Sequence, residues 1–182
     1  GYRKPDVAIN MATMEFEKKK YEKVIPLLTN LDKKKIAEKK IASMLAFSYY
    51  YTDNYNFAIP HFTILLGKSP SKEIVEMAAI SYEKTDQLPM AISMYNKFLS
   101  FGKTNKHEKY AYHIAILYEK QNDLPSAKTQ YIKNLTDYPN YFKNYTKLVS
   151  ILIKENKNSQ AIPYLEKATE KPSCPPEFFK KL

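Results

Sequence analysis

The sequence predicts an all-α fold that is built from stacked pairs of antiparallel helices. A short phrase recurs along the chain at spacings of 34, 33, 36 and 34 residues, and it begins at Val24, Ala58, Ala91, Ala127 and Ala161, here called the anchor residues. Positions three, four and eight residues apart lie on one face of a helix, and the apolar residues near each anchor have these spacings. Only three Gly occur in 182 residues, which argues against a turn-rich β-architecture. Together these observations favour a helical repeat.

Each repeat carries the same residue types at fixed distances from its anchor. The residues are Tyr49, Tyr82, Tyr118 and then Leu152 at nine before the anchor; Ala12, Ala46, Ala79, Ala115 and Val149 at twelve before; Leu28, Phe62, Tyr95, Tyr131 and Leu165 at four after; and Leu66, Leu99 and Leu135 at eight after. Small residues on both helices of a pair allow the two backbones to approach closely. The rings are then expected to fill the space between one helix pair and the next.

The spacing predicts five helix pairs with a polar turn inside each pair. The pairs are expected at 7–18 with 20–31, 34–52 with 55–67, 71–85 with 88–101, 105–121 with 124–137, and 141–155 with 158–170. Asp or Asn in four of these turns suits a helix cap, and Pro89 and Pro125 suit a first helical turn. Pro26, Pro60 and Pro163 fall deeper inside the second helix of their pairs, where proline is expected to bend the helix.

The composition is that of a globular protein with a basic surface. Hydrophobic residues make up 44% of the chain and charged residues 26%, and the formal net charge is +10. A large positive charge raises the question of nucleic acid as a partner. Almost all of the excess is Lys, however, and Arg3 is the only Arg. Because Arg forks are the commoner means of gripping phosphates and bases, we interpret the charge as solvated helix faces.

The single cysteine, Cys174, excludes an internal disulfide and any site that needs several cysteines. No apolar run is long enough for a membrane span, and no signal peptide is evident. The cytoplasm and the periplasm both remain open as compartments. Because the chain begins with Gly1 and Tyr2, we expect it to be a fragment of a longer protein.

The offsets resemble those of the tetratricopeptide repeat. The clearest unit carries Ala115, Tyr118, Ala127, Tyr131, Leu135 and Pro139, and the resemblance spans about residues 6 to 172. It implies a right-handed α-solenoid, a superhelix of antiparallel helix pairs that forms a single domain over 1–182. The units are expected at 6–32, 39–72, 72–105, 108–141 and 142–174, with 175–182 a capping helix or the start of a further unit. The first unit is degenerate, with Glu15 where an aromatic residue is expected.

The resemblance also implies a concave groove that is lined by the first helix of each unit. Counting the groove positions of the family places ten residues there as candidates for partner binding: Lys40, Phe47, Tyr50, Tyr51, Lys109, Tyr112, His113, Lys143, Lys147 and Lys154. The third unit contributes Glu73, Glu76 and Glu83 instead. The expected groove is therefore aromatic, then acidic, then basic, and rings beside cations suit a peptide with carboxylates.

The sequence offers no catalytic or metal-binding constellation. No two of His61, His107 and His113 have the spacing of metal ligands on one helix. Cys174 stands between Ser173 and Pro175 without a neighbour that would activate its thiol. We expect no catalytic residue, no metal site, no cofactor and no enzymatic activity.

Three functions remain open at this stage. The resemblance favours a scaffold that binds a peptide or helix of another protein. The charge and the exposed rings allow a nucleic-acid-binding helical repeat, although the Ala–Tyr–Ala–Pro signature favours the protein-binding family over the related RNA-reading pentatricopeptide repeats. The third possibility is the sensory or docking part of a larger enzyme. The oligomeric state and the partner are not specified by these residues.

Overall fold

A computed structural model describes residues 4–31, 38–67, 69–172 and 174–176, and this part of the chain is all-α. It contains ten helices and no strand. The helices are α1 (Lys4–Glu17), α2 (Tyr21–Thr29), α3 (Lys39–Tyr51), α4 (Tyr55–Leu65), α5 (Lys72–Lys84), α6 (Leu88–Leu99), α7 (His107–Lys120), α8 (Leu124–Asp137), α9 (Lys143–Lys154) and α10 (Asn158–Thr169). The five predicted helix pairs are confirmed. The expected start of the second pair at residue 34, and residues 177–182 of the expected cap or further unit at 175–182, lie outside the described residues.

The turn inside each helix pair depends on one residue in the left-handed backbone conformation. Lys19, Asp53, Asp86, Asn122 and Asn156 have φ of 57–58°, and each stands five residues before its anchor. Asp and Asn tolerate this conformation better than most residues. Asp53, Asp86 and Asn122 therefore end the first helix of their pairs, at the position where a left-handed residue commonly follows a helix. Among these turns, Asp123 caps the second helix with its side chain, since its Oδ1 accepts the Ser126 N–H at 3.1 Å.

The first of two compact units, Gly1–Phe101, contains α1 to α6 and is called the N-terminal unit. Within it each helix pair packs together, and α2 and α4 also pack against the first helix of the following pair. The anchors Val24, Ala58 and Ala91 are fully buried, as are Ala46 and Ala79. Burial of these small side chains from both helices of a pair is the reason that the helices lie so close.

The second compact unit, Gly102–Leu182, contains α7 to α10 and is called the C-terminal unit. Its core gathers Tyr131, Tyr145 and Leu148 around the anchors Ala127 and Ala161. One polar pair is buried in it: the side-chain amide of Asn134 donates to that of Asn144 at 3.0 Å. Because both amides are almost fully buried, this bond joins α8 to α9 at a point where water cannot replace it.

Three helices continue through an internal proline. Pro26, Pro60 and Pro163 are each the sixth residue of α2, α4 and α10, respectively, and all three are exposed. A proline at this position removes one backbone donor from the helix. In each helix, the carbonyl that loses its helical donor lies in the first turn, on a residue that is exposed to solvent.

Candidate binding surfaces on the first helices

In the N-terminal unit the three predicted aromatic residues of α3 belong to a connected set of rings, here called the aromatic cluster. Its members are Phe16, Tyr21, Phe47, Tyr50, Tyr51, Tyr55 and Phe62. Tyr51 stacks on Tyr21 with 4.7 Å between ring centroids, and Tyr50 meets Tyr51 edge-on at 5.4 Å. Tyr51 remains 50% exposed. A ring that is fixed by stacking and still faces solvent can bind a partner with little loss of side-chain freedom.

Phe47 and Tyr50 also belong to the packing of this unit. The Phe47 ring lies 6.3 Å from Phe16 and 6.4 Å from the fully buried Phe62, and Tyr50 meets Phe62 edge-on at 6.2 Å. Both residues are half-buried, whereas Lys40 is exposed in the first turn of α3. Of the four predicted residues in α3, Tyr51 and Lys40 therefore offer most of their surface to solvent.

Carboxylates of α5 lie beside the aromatic cluster. Burial and then the nearby Tyr51 and Glu73 raise the pKa of Tyr21, and burial followed by Glu76 raises the pKa of Tyr50. The Tyr55 hydroxyl donates to Asp53, which raises the pKa of Tyr55 to about 12. Glu73 and Glu76 are therefore near enough to act electrostatically on rings of the cluster.

In the C-terminal unit three of the predicted residues have defined contacts, two of them with the Tyr141 ring and one with a carboxylate. The Tyr112 ring lies 5.5 Å from Tyr141, whose face lies 5.9 Å from the Lys143 ammonium. The Lys147 ammonium lies 3.2 Å from a carboxylate oxygen of Glu119. Lys109 and Lys154 are exposed, and His113 is half-buried. Lys147 is thus partly neutralised, while Lys143 lies beside a ring.

Two repeats share a Glu–Tyr hydrogen bond that sequence reasoning missed. The Tyr95 hydroxyl donates to Glu83 at 2.8 Å, and the buried Tyr131 hydroxyl donates to Glu119. Burial and this bond to an ionised carboxylate raise the pKa of Tyr131. Glu83, which sequence reasoning placed in the groove, therefore serves the packing of its own helix pair.

The sequence does contain a signal for these pairs. Glu stands eight residues before the anchor only in the two repeats that have Tyr four residues after it. In the other three repeats the same two positions hold Phe16 with Leu28, Tyr50 with Phe62, and Ile153 with Leu165. A buried hydroxyl needs an acceptor and an apolar side chain does not, so the two positions vary together.

The described residues show neither a metal cluster nor a membrane-spanning helix. Within them no group of three or more His, Cys, Asp and Glu side chains is placed to hold a metal ion. None of their helices is long and apolar enough to cross a bilayer. His61 is stacked on Tyr49 with 5.8 Å between ring centroids, and burial lowers the pKa of its imidazole.

Comparison with known proteins identifies the fold. No protein-family model and no curated protein sequence matches the chain. A crystal structure of MamA is 15% identical over 92% of this chain and 91% of its own, with a TM-score of 0.61. MamA of AMB-1 is 13% identical over 97% and 96%, with a TM-score of 0.64. YrrB, a tetratricopeptide-repeat protein with an unusual peptide-binding site, is 14% identical over 96% and 91%, with a TM-score of 0.60.

The chain has the tetratricopeptide-repeat fold. The likeness covers nearly all of this chain and of each neighbour, and it confirms the all-α solenoid of antiparallel helix pairs that the offsets predicted. At these identities it concerns the fold alone. The function has to be argued from the side chains that this chain places on that fold.

Proposed function

We propose that the protein is a non-enzymatic scaffold that binds a peptide or helix of a partner protein across its first helices. The observation that carries this proposal is the exposed, stacked Tyr51 of the aromatic cluster. Rings of this kind supply much of the binding energy at protein interfaces. The peptide-binding site of YrrB, which has the same fold, is consistent with it.

The two units present different chemistry to a partner. In the N-terminal unit the aromatic cluster lies beside Glu73 and Glu76, so an apolar residue next to a cation suits it best. In the C-terminal unit Lys109, Lys143 and Lys154 are exposed, and they favour a carboxylate. The two units are therefore expected to prefer partner segments of different charge.

The test is to isolate proteins that co-purify with the chain from its source and to measure their affinity for variants. We expect Tyr51→Ala to weaken binding by about tenfold, because one anchoring ring is worth on the order of 1–2 kcal/mol. Phe57→Ala is the matched control, since Phe57 is a 62% exposed ring on the second helix α4. Equal affinity of the two variants for every captured protein would refute the assignment of the surface.

Nucleic acid is the second candidate, and one observation favours it: α9 contains three Lys and no acidic residue. Binding through phosphates requires affinity to fall steeply as salt rises. Titration with RNA and DNA at two salt concentrations distinguishes the two functions. Absent or salt-independent binding excludes the nucleic-acid function.

A further inference from the structure

The C-terminal unit has an apolar groove on the side of its second helices, here called the α8–α10 groove. It lies between α8 and α10 over α9, and its volume is about 670 Å³. Leu148 and Leu152 of α9 form its floor, and Ile132 of α8 and Tyr164 of α10 form its walls. The groove is open to solvent on one side. Ile132 on its wall is 44% exposed, whereas Leu148 and Leu152 on its floor are almost fully buried, so the wall offers most of the accessible apolar surface.

The groove lies where the fifth repeat departs from the repeat pattern. Leu152 occupies the position, nine before the anchor, at which three other repeats carry Tyr. In the second repeat this residue is Tyr49, which stacks on Phe57 and His61 with centroids 5.5 and 5.8 Å apart. Three rings thus fill the corresponding space there.

The fifth repeat replaces two of these three rings. Gln160 stands where the second repeat has Phe57, and Tyr164 where it has His61; both line the groove. With a single ring and a shorter Leu152, the space between the helices stays open. The groove therefore coincides with a position where the fifth repeat has a shorter side chain, and its floor is apolar.

The charge at the rim is positive. The groove is lined by two basic side chains, Lys128 and Lys167, and none of its described lining residues carries a carboxylate. Lys128 binds both carboxylate oxygens of Glu155, at 2.6 and 2.7 Å, but Lys157 also binds this carboxylate at 2.8 Å. Two ammonium groups thus share one carboxylate, and the exposed Lys167 adds a further positive charge.

We propose that the α8–α10 groove docks an acidic amphipathic helix of a partner protein. Its apolar residues enter the groove between Ile132 and Tyr164, above the floor that Leu152 forms, and a carboxylate on the same helix meets Lys167. Amphipathic helices bind other helical proteins by laying an apolar face into such a groove. A small ligand would instead need a site that encloses most of its surface, and this groove is open. The surface is separate from the one proposed above, and neither depends on the other.

The test uses a random-peptide display library as the probe, selected on the wild-type chain. We expect the selected peptides to combine bulky apolar residues with Asp or Glu. We expect Leu152→Tyr to reduce their affinity at least about tenfold, because the ring fills the site of the central apolar contact. Ile153→Tyr is the matched control, since Ile153 is exposed on the same helix and does not line the groove.

Two more variants keep the test decisive if Leu152→Tyr perturbs folding. Ile132 is 44% exposed on the wall, so Ile132→Asn changes the apolar lining and leaves the core in place. Lys167→Glu should reduce affinity by about two- to tenfold, the range for a charge at the edge of an interface. Lys133→Glu, on α8 outside the groove lining, should change it little. Circular dichroism melts verify that each variant is folded.

Several results would overturn the proposal. Selected peptides that are basic, or that bind the Leu152→Tyr and Ile132→Asn variants as tightly as the wild type, would exclude this docking surface. A concentration-dependent dimer that Leu152→Tyr abolishes in sedimentation equilibrium would assign the groove to a second copy of the chain instead. The Tyr51→Ala variant should bind the selected peptides normally, so failure here is distinguishable from failure of the proposed function.

Discussion

Replacing Tyr131 with Phe isolates the hydrogen bond that ties α8 to α7. The side chain is fully buried, and its hydroxyl donates to Glu119, which also binds Lys147 at 3.2 Å. Phe keeps the ring and its packing, so the change removes little besides this bond. The perturbation is therefore confined to one donor and one acceptor.

The expected cost is about 1–2 kcal/mol of the free energy of unfolding. A hydrogen bond to a charged group contributes about 1.5–3 kcal/mol net. Two features of the structure place the cost of Tyr131→Phe near the lower end of this range. The Glu119 side chain is 23% exposed, so water can reach it, and it keeps Lys147 as a partner.

Urea unfolding followed by circular dichroism measures this cost, and a double-mutant cycle with Glu119→Ala measures the coupling between the two residues. We expect a coupling of about 1 kcal/mol. Tyr112→Phe is the matched control, because this half-buried ring contacts Tyr131 and no hydroxyl bond is described for it. Its cost should stay below about 0.5 kcal/mol.

Two outcomes would refute this reasoning. If Tyr131→Phe cost no more than Tyr112→Phe, the buried hydroxyl bond would contribute nothing to stability. If the cycle with Glu119→Ala gave no coupling, the joint variation of the two positions along the repeats would need another cause.

Three further predictions concern packing and turns. Burial lowers the pKa of His61 below its ordinary value of 6.5, so the unfolded chain binds the proton more readily than the folded chain. The contribution of His61 to stability should therefore be full above pH 6.5 and fall as the pH drops through this value. Urea unfolding of His61→Phe should lack this dependence on pH. Asp86 has φ of 58°, so Asp86→Val should be less stable than Asp86→Gly by about 1–2 kcal/mol in the same assay; equal stability would contradict a left-handed turn. Asn134→Ala should cost about 1–3 kcal/mol, because it leaves the buried Asn144 amide without this donor; thermal melts indistinguishable from the wild type would show that the amide pair is dispensable.

The sequence predicted the helical pairs well because their determinants are local and repeated. A small anchor, a large apolar or aromatic residue four positions later and a polar turn five positions earlier are visible as periodicity alone. The candidate site was less predictable. Position counting identifies which residues belong to a first helix, but not that Phe47 packs on Phe62 or that Lys147 binds Glu119, since these contacts depend on neighbouring helices.

The residues at fixed offsets from the anchors determined the all-α repeat, the helix pairing and the buried faces by themselves. Tertiary structure decided which of the exposed-looking side chains already have partners. Glu83 accepts a hydrogen bond from Tyr95 inside one helix pair, and Tyr51 stacks on another ring while half of its surface stays exposed. A groove lies where Leu152 stands in place of Tyr. The physical reason is that periodicity reports which face of a helix is apolar, whereas hydrogen bonds and grooves depend on what the next helix places opposite that face.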